Sequence, residues 1–237
     1  MALLPYQVIP DDWDDFYLEQ SKISSPEPLS AFYRSQLLPD DNVMAATHFV
    51  ALDIETTGLD AQKDDIVSIG LVPFDSQRIY LAKAKHWVVS SRHLTSDSVV
   101  VHGITHTEVA EAPSLKSVHP ELLACLKGKQ IVVHYRYMER EFLRKALAEI
   151  LQSNFLFPVI DTLELEVKNL RDTQSIMARF LKKPLPSLRL LHVRERYHLP
   201  AYENHNALVD ALATAELLQA QIAKHQLGNK RVRALWS

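Results

Sequence analysis

Residues 49–60 read FVALDIETTGLD, a stretch that places two carboxylates at the end of an apolar, strand-like run. Asp53 and Glu55 stand one residue apart, directly before a Thr-Thr-Gly turn signal. Successive side chains of a strand point to opposite faces, so both acids are expected on one face. Neighbouring carboxylates repel each other unless a cation lies between them. The stretch therefore predicts either a site for Mg²⁺ or Mn²⁺, or a solvated strand end with two harmless acids.

The composition is that of an ordinary globular protein. Apolar residues make up 47% of the 237 residues and charged residues 23%, with a formal net charge of −3. Such a balance excludes a global basic field for long nucleic acid, so any nucleic-acid contact must be local or aided by a metal. The single cysteine, Cys125, and the absence of a secretory signal or a 20-residue apolar run predict a cytoplasmic protein that does not enter a membrane.

The chain divides into three parts by composition. Residues 1–45 are acidic and interrupted by prolines, and their aromatic spacing predicts a short helical extension. This extension is expected to pack on the main domain, or to serve a homodimer or another protein partner. Residues 46–226 form the predicted main domain, and residues 227–237 form a C-terminal tail.

The main domain is predicted to be α/β, with a mixed sheet covered by helices. Its opening resembles an antiparallel meander, because three β-rich runs follow one another before helical and strand patterns alternate. The predicted strands are 47–54, 66–73, 79–89, 130–134 and 156–160, and the predicted helices are 113–126, 137–151, 162–170, 188–198 and 206–225.

A second acidic signal lies near the C-terminus, where residues 203–215 read ENHNALVDALATA. Asn206 is a good N-cap for an alanine-rich helix, and Asp210 is surrounded by apolar residues on nearly every side. His205 would lie on the loop that enters this helix. Both side chains are expected to face one cleft, although a lone His at this place is more often a capping or packing residue.

Three motifs together resemble the DEDDh 3′–5′ exonucleases, among them the epsilon subunit of DNA polymerase III and ribonuclease T. The motifs are D-x-E-T-T-G after an apolar strand, V-x-G-I-T at residues 101–105, and H-N-A-L-x-D-A near the C-terminus. The resemblance covers residues 46–224 in the family order. It implies a ribonuclease H-like fold and two divalent metal ions, Mg²⁺ or Mn²⁺, held by four acids.

The resemblance also implies a role for each matching residue. Asp53 would bridge both metals, Glu55 and Asp210 would hold the metal that activates water, and His205 would be the general base. The terminal nucleotide would meet the turn residues and a histidine of the second motif, namely Thr56, Thr57, Gly58, Leu59 and His102. Gly58 is equally compatible with serving only the turn, and His102 with a hydrogen bond in a loop.

The fourth acid departs from the family pattern H-N-x-x-F-D-x-x-F-L. Residues 132–143 read VVHYRYMEREFL, so Tyr135 replaces the usual Asn, Met138 the usual Phe and Glu139 the usual Asp. Glu139 carries the same charge on a longer stem, which would favour Mn²⁺ over the geometrically stricter Mg²⁺. The competing interpretation is a surface acid paired with Arg136 or Arg140.

These patterns predict a metal-dependent exonuclease that releases nucleoside 5′-monophosphates from single-stranded or 3′-terminal nucleic acid. One alternative is a catalytically weakened nucleic-acid or nucleotide-binding module of the same fold. Another is a metal hydrolase that acts on a nucleotide, a dinucleotide or another phosphodiester. DNA and RNA are not distinguished, and the candidates for contacting loose terminal bases are Leu59, Tyr135, Tyr137 and Met138.

Overall fold

A mixed sheet forms the centre of the computed structural model, which describes residues 9–10, 12–22, 27–37, 39, 41–91, 104–174, 184–202 and 205–237. Within this part of the chain the sheet has the strands β1 (Phe49–Thr56), β2 (Ile66–Phe74), β3 (Lys85–Val88), β4 (Gln130–Val133) and β5 (Ile160–Asp161). Their spatial order is β3-β2-β1-β4-β5. The first three strands pair antiparallel, while β4 and β5 continue the sheet in parallel from β1.

Helices cover both faces of this sheet. In chain order they are α1 (Trp13–Lys22), α2 (Glu27–Ser35), α3 (His106–Glu111), α4 (Leu115–Leu126), α5 (Arg136–Leu151), α6 (Thr162–Thr173), α7 (Leu190–Arg196) and α8 (Ala207–Lys224). On one face, Leu52 of β1 shares a core with residues of α4 and α5. On the other face, Ala51 shares a second core with Ala211 and Leu218 of α8. The predicted α/β architecture with a mixed sheet is confirmed.

The N-terminal extension packs into the first of these cores. Phe16, Tyr17, Phe32 and Tyr33 are buried on α1 and α2, as their helical spacing predicted. The Tyr33 hydroxyl donates to the carbonyl oxygen of Asn154 at 2.9 Å. The apolar faces of both helices are therefore used within the chain, and a homodimer or partner contact through residues 1–45 stays a prediction.

The C-terminal residues tie the extension to the sheet edge. Ser237 and Val159 exchange two backbone hydrogen bonds beside β5, and the Arg233 guanidinium forms an ion pair with Asp14 of α1. Arg233 of the C-terminal tail thus has a structural partner. Among the described residues, none of the helices combines the length and the apolar character needed to cross a bilayer.

Several predicted boundaries are wrong for local reasons. The third strand begins at Lys85 rather than residue 79, because Asp75 accepts bonds from Gln77 and Arg78 and a 3₁₀ turn follows at Leu81–Lys83. Helix α4 begins after Pro113, since Ser114 is its N-cap. The predicted strand at 156–160 is reduced to Ile160–Asp161.

Helix α3 was missed, although its capping box was readable from the sequence. The side chain of Thr105 accepts from the backbone N–H of Glu108, and the Glu108 carboxylate accepts from the backbone N–H of Thr105. The helix has only six residues, too few to show a periodic apolar face.

Candidate active site

Strand β1 presents Asp53 and Glu55 on the face that α8 covers. Ala51, two residues earlier and therefore on the same face, packs against α8. Across the antiparallel ladder, Asp53 lies opposite Gly70 and Glu55 opposite Ser68. Glu55 is buried and Asp53 is half-buried. The alternative interpretation, a solvated strand end with two harmless acids, is therefore wrong.

Gly70 allows the N-terminus of α8 to reach the strand ladder. A Cβ atom at Gly70 would lie only 2.1 Å from the carbonyl oxygen of Ala207, so only glycine fits at this place. Asn206 caps the helix as predicted, because its Oδ1 accepts two backbone N–H groups of the first turn at 3.1 and 3.2 Å. The capped first turn carries Asp210 toward the acids of β1.

Three carboxylates from the two ends of the domain meet at this point. One oxygen each from Asp53, Glu55 and Asp210 lies within 4.8 Å of the other two. Oδ2 of Asp210 accepts the backbone N–H of His205 at 3.0 Å, while its buried Oδ1 has no hydrogen-bond partner among the described residues. Side chains far apart in the sequence thus converge with an oxygen still available for a ligand.

His205 immediately precedes the N-cap, on the loop where the sequence placed it. Its backbone has a φ of +70°, a left-handed conformation in which histidine is among the tolerated residues. The side chain is exposed, and a positive charge on it would lower the pKa of Asp210. His205 therefore lies beside the acid cluster without being buried in it.

Glu139 is the fourth acid, and it lies in the first turn of α5. Its side chain is only 3% exposed, and its Oε2 has no hydrogen-bond partner within the described residues. The competing interpretation as a surface acid is wrong, because Arg136 pairs with Glu164 and Arg140 donates to the carbonyl oxygen of Ser237 at 2.8 Å. Glu139 does not belong to the group of three acids within 4.8 Å.

Asp161 fixes the start of α5 and so the position of Glu139. Its carboxylate accepts the backbone N–H groups of Tyr135 at 3.1 Å and Arg136 at 2.9 Å. It also caps α6 by accepting the N–H of Leu163 at 2.9 Å. One buried carboxylate therefore satisfies the N-termini of two helices.

The acids perturb one another electrostatically. The pKa of Asp53 is raised well above its ordinary value, first by burial and then by the negative charges of Glu139, Asp210 and Glu55. Burial also raises the pKa of Glu139, helped by the charge of Asp161. For Asp210, burial is again the largest cause of a raised pKa, although the His205 N–H opposes it. The charge of Glu139 is therefore near enough to raise the pKa of Asp53.

This arrangement fits a hard divalent cation. Buried like charges are costly unless a positive ion offsets them, and carboxylate oxygens are the ligands that Mg²⁺ and Mn²⁺ prefer. The partnerless oxygens of Asp210 and Glu139 are the structural observation that supports this assignment. The acid cluster is therefore able to hold divalent metal.

The residues predicted to meet a terminal nucleotide form a turn that is held by its own hydroxyls. The Thr56 hydroxyl donates to the carbonyl oxygen of Gly58 at 2.6 Å, and the Thr57 hydroxyl accepts the N–H of Asp65 at 3.0 Å. At Gly58, a Cβ would lie 2.5 Å from the Asp64 carboxylate, which gives this glycine a role in the turn. Leu59 is 85% exposed at the tip, and His102 lies outside the described residues.

Sequence reasoning missed Gly70 and Asp161 as residues that build the site. A glycine within an otherwise β-rich run is a known sign of close backbone approach, so Gly70 carried a readable signal. Asp161 carried only the signal of a helix N-cap, because its second role depends on the start of α5, distant in the chain, lying next to its carboxylate.

Comparison with protein families and curated proteins shows which known proteins this chain resembles. The family model described as "Exonuclease" matches residues 50–218. A DNA polymerase III of the PolC type from Thermotoga maritima is 32% identical over 203 residues, which are 85% of this chain but 13% of that protein. The DNA polymerase III epsilon subunit of Treponema pallidum is 27% identical over 181 residues, 76% of this chain and 79% of the relative. The chain thus spans about an eighth of the length of its PolC-type relatives.

Solved structures show the same fold at low sequence identity. The nuclease domain of 3′hExo, described as a DEDDh family member bound to rAMP, aligns with a TM-score of 0.60 and 13% identity, covering 80% of this chain and 96% of that domain. Escherichia coli exonuclease I in complex with an oligonucleotide aligns with a TM-score of 0.56 and 16% identity, covering 80% of this chain and 42% of that protein.

Proposed function

This chain belongs to the DEDDh exonuclease family, as its motifs predicted, and from that premise we propose that it is a metal-dependent 3′–5′ exonuclease. It releases nucleoside 5′-monophosphates from the 3′ ends of DNA or RNA. The observation that carries the proposal is the convergence of Asp53, Glu55 and Asp210 within 4.8 Å. The buried, partnerless oxygen of Asp210 adds to it.

Asp53, Glu55 and Asp210 would hold one divalent ion, and Asp53 with Glu139 would hold a second. When bound, such ions neutralise the phosphate and activate the attacking water as Lewis acids. His205 accepts the proton of that water, a role for which histidine is the side chain most often used. Its exposed ring and its backbone bond to Asp210 place it at the edge of the cluster.

The test is hydrolysis of a 5′-labelled single-stranded oligonucleotide by the purified chain, with Mg²⁺ or Mn²⁺. We expect stepwise shortening from the 3′ end and nucleoside 5′-monophosphates as products. Asp53→Asn should abolish cleavage, whereas Glu121→Gln should not, since Glu121 is an exposed acid paired with Lys85 away from the cluster. Equal cleavage by native protein and Asp53→Asn would reject the proposal.

A second candidate function is a catalytically weakened binding module. It is favoured by one observation, namely that Glu139 does not join the three acids that lie within 4.8 Å. Thermal stabilisation by Mn²⁺ with a nucleoside monophosphate, but without cleavage of any oligonucleotide, would support this module over the enzyme. Cleavage that depends on Glu139 would support the enzyme.

The nucleic acid, the partners and the location belong to the same proposal. One relative is named a DNA polymerase III of the PolC type and another the epsilon subunit of DNA polymerase III, while 3′hExo is described as bound to rAMP, so a DNA and an RNA substrate each have a precedent. Single- and double-stranded DNA and RNA therefore belong in one substrate panel. A cytoplasmic location and a homodimer or protein partner through residues 1–45 stay predictions, and light scattering of the purified chain tests the dimer.

A further inference from the structure

A buried arginine connects α7, α8 and the segment that leads to His205. Arg194, in the last turn of α7, is only 2% exposed. Its guanidinium donates to the carbonyl oxygen of Ala213 at 2.6 Å and to the carboxylate of Glu216 at 2.7 Å, both on α8. These two bonds fasten α7 to the helix whose first turn carries Asp210.

The same guanidinium also holds the segment between α7 and α8. It donates to the carbonyl oxygen of Pro200 at 2.8 Å, and it lies 4.6 Å from the centroid of the Tyr202 ring. The Tyr202 hydroxyl in turn donates to the second carboxylate oxygen of Glu216 at 2.8 Å. Arg194, Tyr202 and Glu216 therefore form a closed set of contacts, which we call the arginine clamp.

The arginine clamp lies close along the chain to the proposed general base. Two residues, 203 and 204, separate Tyr202 from His205, so at most about 11 Å of chain joins their Cα atoms. On the other side of His205, Oδ2 of Asp210 accepts its backbone N–H at 3.0 Å. The backbone of His205 is thus held between two anchors, one in the clamp and one in the acid cluster.

Fastening two helices together does not require all of these contacts. The bonds from Arg194 to Ala213 and Glu216 alone would join α7 to α8. The bond to Pro200 and the contact with the Tyr202 ring act on the connecting segment instead. An arginine can make both sets of contacts at once because it presents several N–H donors in one rigid plane together with a flat face, which lysine lacks.

The position of an exposed base depends on the backbone that carries it. The side chain of His205 is exposed, and its backbone has a left-handed φ of +70°. A general base must come within about 2.6–3.2 Å of the group whose proton it accepts. A misplacement of about 1 Å can cost about 100-fold in rate, so a segment that holds this backbone also sets the rate.

We propose that Arg194 is a positioning residue for this reaction, which together with Tyr202 and Glu216 holds His205 at the edge of the acid cluster. The inference rests on the proposed exonuclease function, because His205 is the proposed base of that reaction. Opening the clamp lowers kcat through His205, whereas binding of the nucleic acid is retained because the clamp does not contact it.

The test is a double-mutant cycle between Tyr202 and His205. Tyr202→Ala opens the clamp, whereas removal of Arg194 breaks a buried ion pair and destabilises the whole fold. The native chain, the two single variants and the double variant are compared for kcat and KM on a single-stranded oligonucleotide with Mn²⁺. We expect Tyr202→Ala to lower kcat by roughly 10- to 100-fold, with KM within about twofold of native. In the His205→Ala background it should change kcat by less than about twofold, because misplacing a base has no cost once the base is absent.

Tyr80→Ala is the matched control. The Tyr80 hydroxyl donates to the Asp75 carboxylate at 2.5 Å and the Lys83 ammonium lies 5.2 Å from its ring centroid, so this variant loses the same kinds of contact. The Tyr80 backbone bonds to Pro73, which pairs with the beginning of β1, at the end of the ladder away from Glu55. The control should therefore keep the native kcat.

Hydrogen exchange measured by mass spectrometry tests the clamp independently of activity. We expect amide exchange within residues 199–206 to be about fivefold faster in Tyr202→Ala than in the native chain or in Tyr80→Ala, since contacts that hold this segment are lost. If Tyr202→Ala does not fold, Tyr202→Phe supplies both comparisons, because it removes only the bond to Glu216.

Equal losses of kcat in the native and His205→Ala backgrounds would overturn the inference, because the clamp would then act on the fold and not through the base. A kcat within about twofold of native in Tyr202→Ala, or unchanged exchange at residues 199–206, would overturn it as well. Failure of the exonuclease proposal has a different signature. In that case the native protein does not cleave, while the difference in exchange between Tyr202→Ala and Tyr80→Ala persists.

Discussion

Replacing Gly70 by alanine tests whether the close approach of α8 to the sheet assembles the acid cluster. The new Cβ would lie 2.1 Å from the carbonyl oxygen of Ala207, whereas close carbon–oxygen contacts between packed backbone segments are found at about 3.3 Å or more. The N-terminus of α8 must therefore move away by about 1.2 Å. Asp210 lies in that first turn and moves with it.

The magnitude follows from the displacement. A misplacement of about 1 Å in a catalytic constellation can cost about 100-fold in rate, so we expect Gly70→Ala to lose about two orders of magnitude in kcat/KM on a single-stranded oligonucleotide. Its affinity for Mn²⁺ should fall as well. Overpacking of a close contact costs about 1–3 kcal/mol in the free energy of unfolding, which leaves the folded state populated in a protein of ordinary stability.

The assay pairs initial-rate kinetics with urea denaturation monitored by circular dichroism. Gly228→Ala is the control, because its Cβ would meet its nearest neighbour, the Cβ of Ala45, at an ordinary 3.7 Å. The control should retain native activity. Full activity of Gly70→Ala would refute the reasoning, and so would an activity loss that matches the unfolded fraction with metal affinity unchanged.

Three further predictions concern the buried charges. Glu139→Gln should lower kcat about 100-fold without lowering the melting temperature in EDTA, because it removes a buried charge; a kcat within twofold of native would contradict its role. The pKa of Asp53 is higher in the folded than in the unfolded state, so in EDTA the native protein should lose stability relative to Asp53→Asn as pH rises above about 4. Urea denaturation at several pH values checks this trend. A stability difference that stays constant with pH would contradict it. Arg194 is 2% exposed and forms an ion pair with Glu216 at 2.7 Å. Arg194→Met should therefore lower the free energy of unfolding, measured by urea denaturation, by about 3–5 kcal/mol. A loss under about 1 kcal/mol would argue that this ion pair does not stabilise the fold.

The acid cluster sets the stability of the apo fold against the proposed activity. Asp53, Glu139 and Asp210 all have a raised pKa, chiefly because burial disfavours their charged forms. Apolar or amide replacements would relieve that cost in the absence of metal. They would also remove the oxygen ligands on which the proposed chemistry depends, so the strain is retained where the function needs it.

Much of the candidate site was predictable because its parts are local. Asp53 and Glu55 share a face since side chains alternate along any strand, and the sequence alone fixes that parity. Asn206 as the N-cap, and His205 just before it, follow from helix-start chemistry. The order of strands and helices followed in the same way from periodicity, apart from α3, whose six residues are too few for a periodic pattern; β5 was predicted but is shorter than expected.

The tertiary structure alone decided which of these local parts meet. The sequence left Glu139 open between a metal ligand and a surface acid, and its burial was decided by the packing of α5 against β1, with the start of α5 held by Asp161 at the end of β5. Gly70 brings Asp210 to Asp53 only because a helix crosses the sheet at that glycine. Local patterns encode the direction of a side chain, whereas its burial and its neighbours depend on contacts between segments far apart in the chain, which no local pattern specifies.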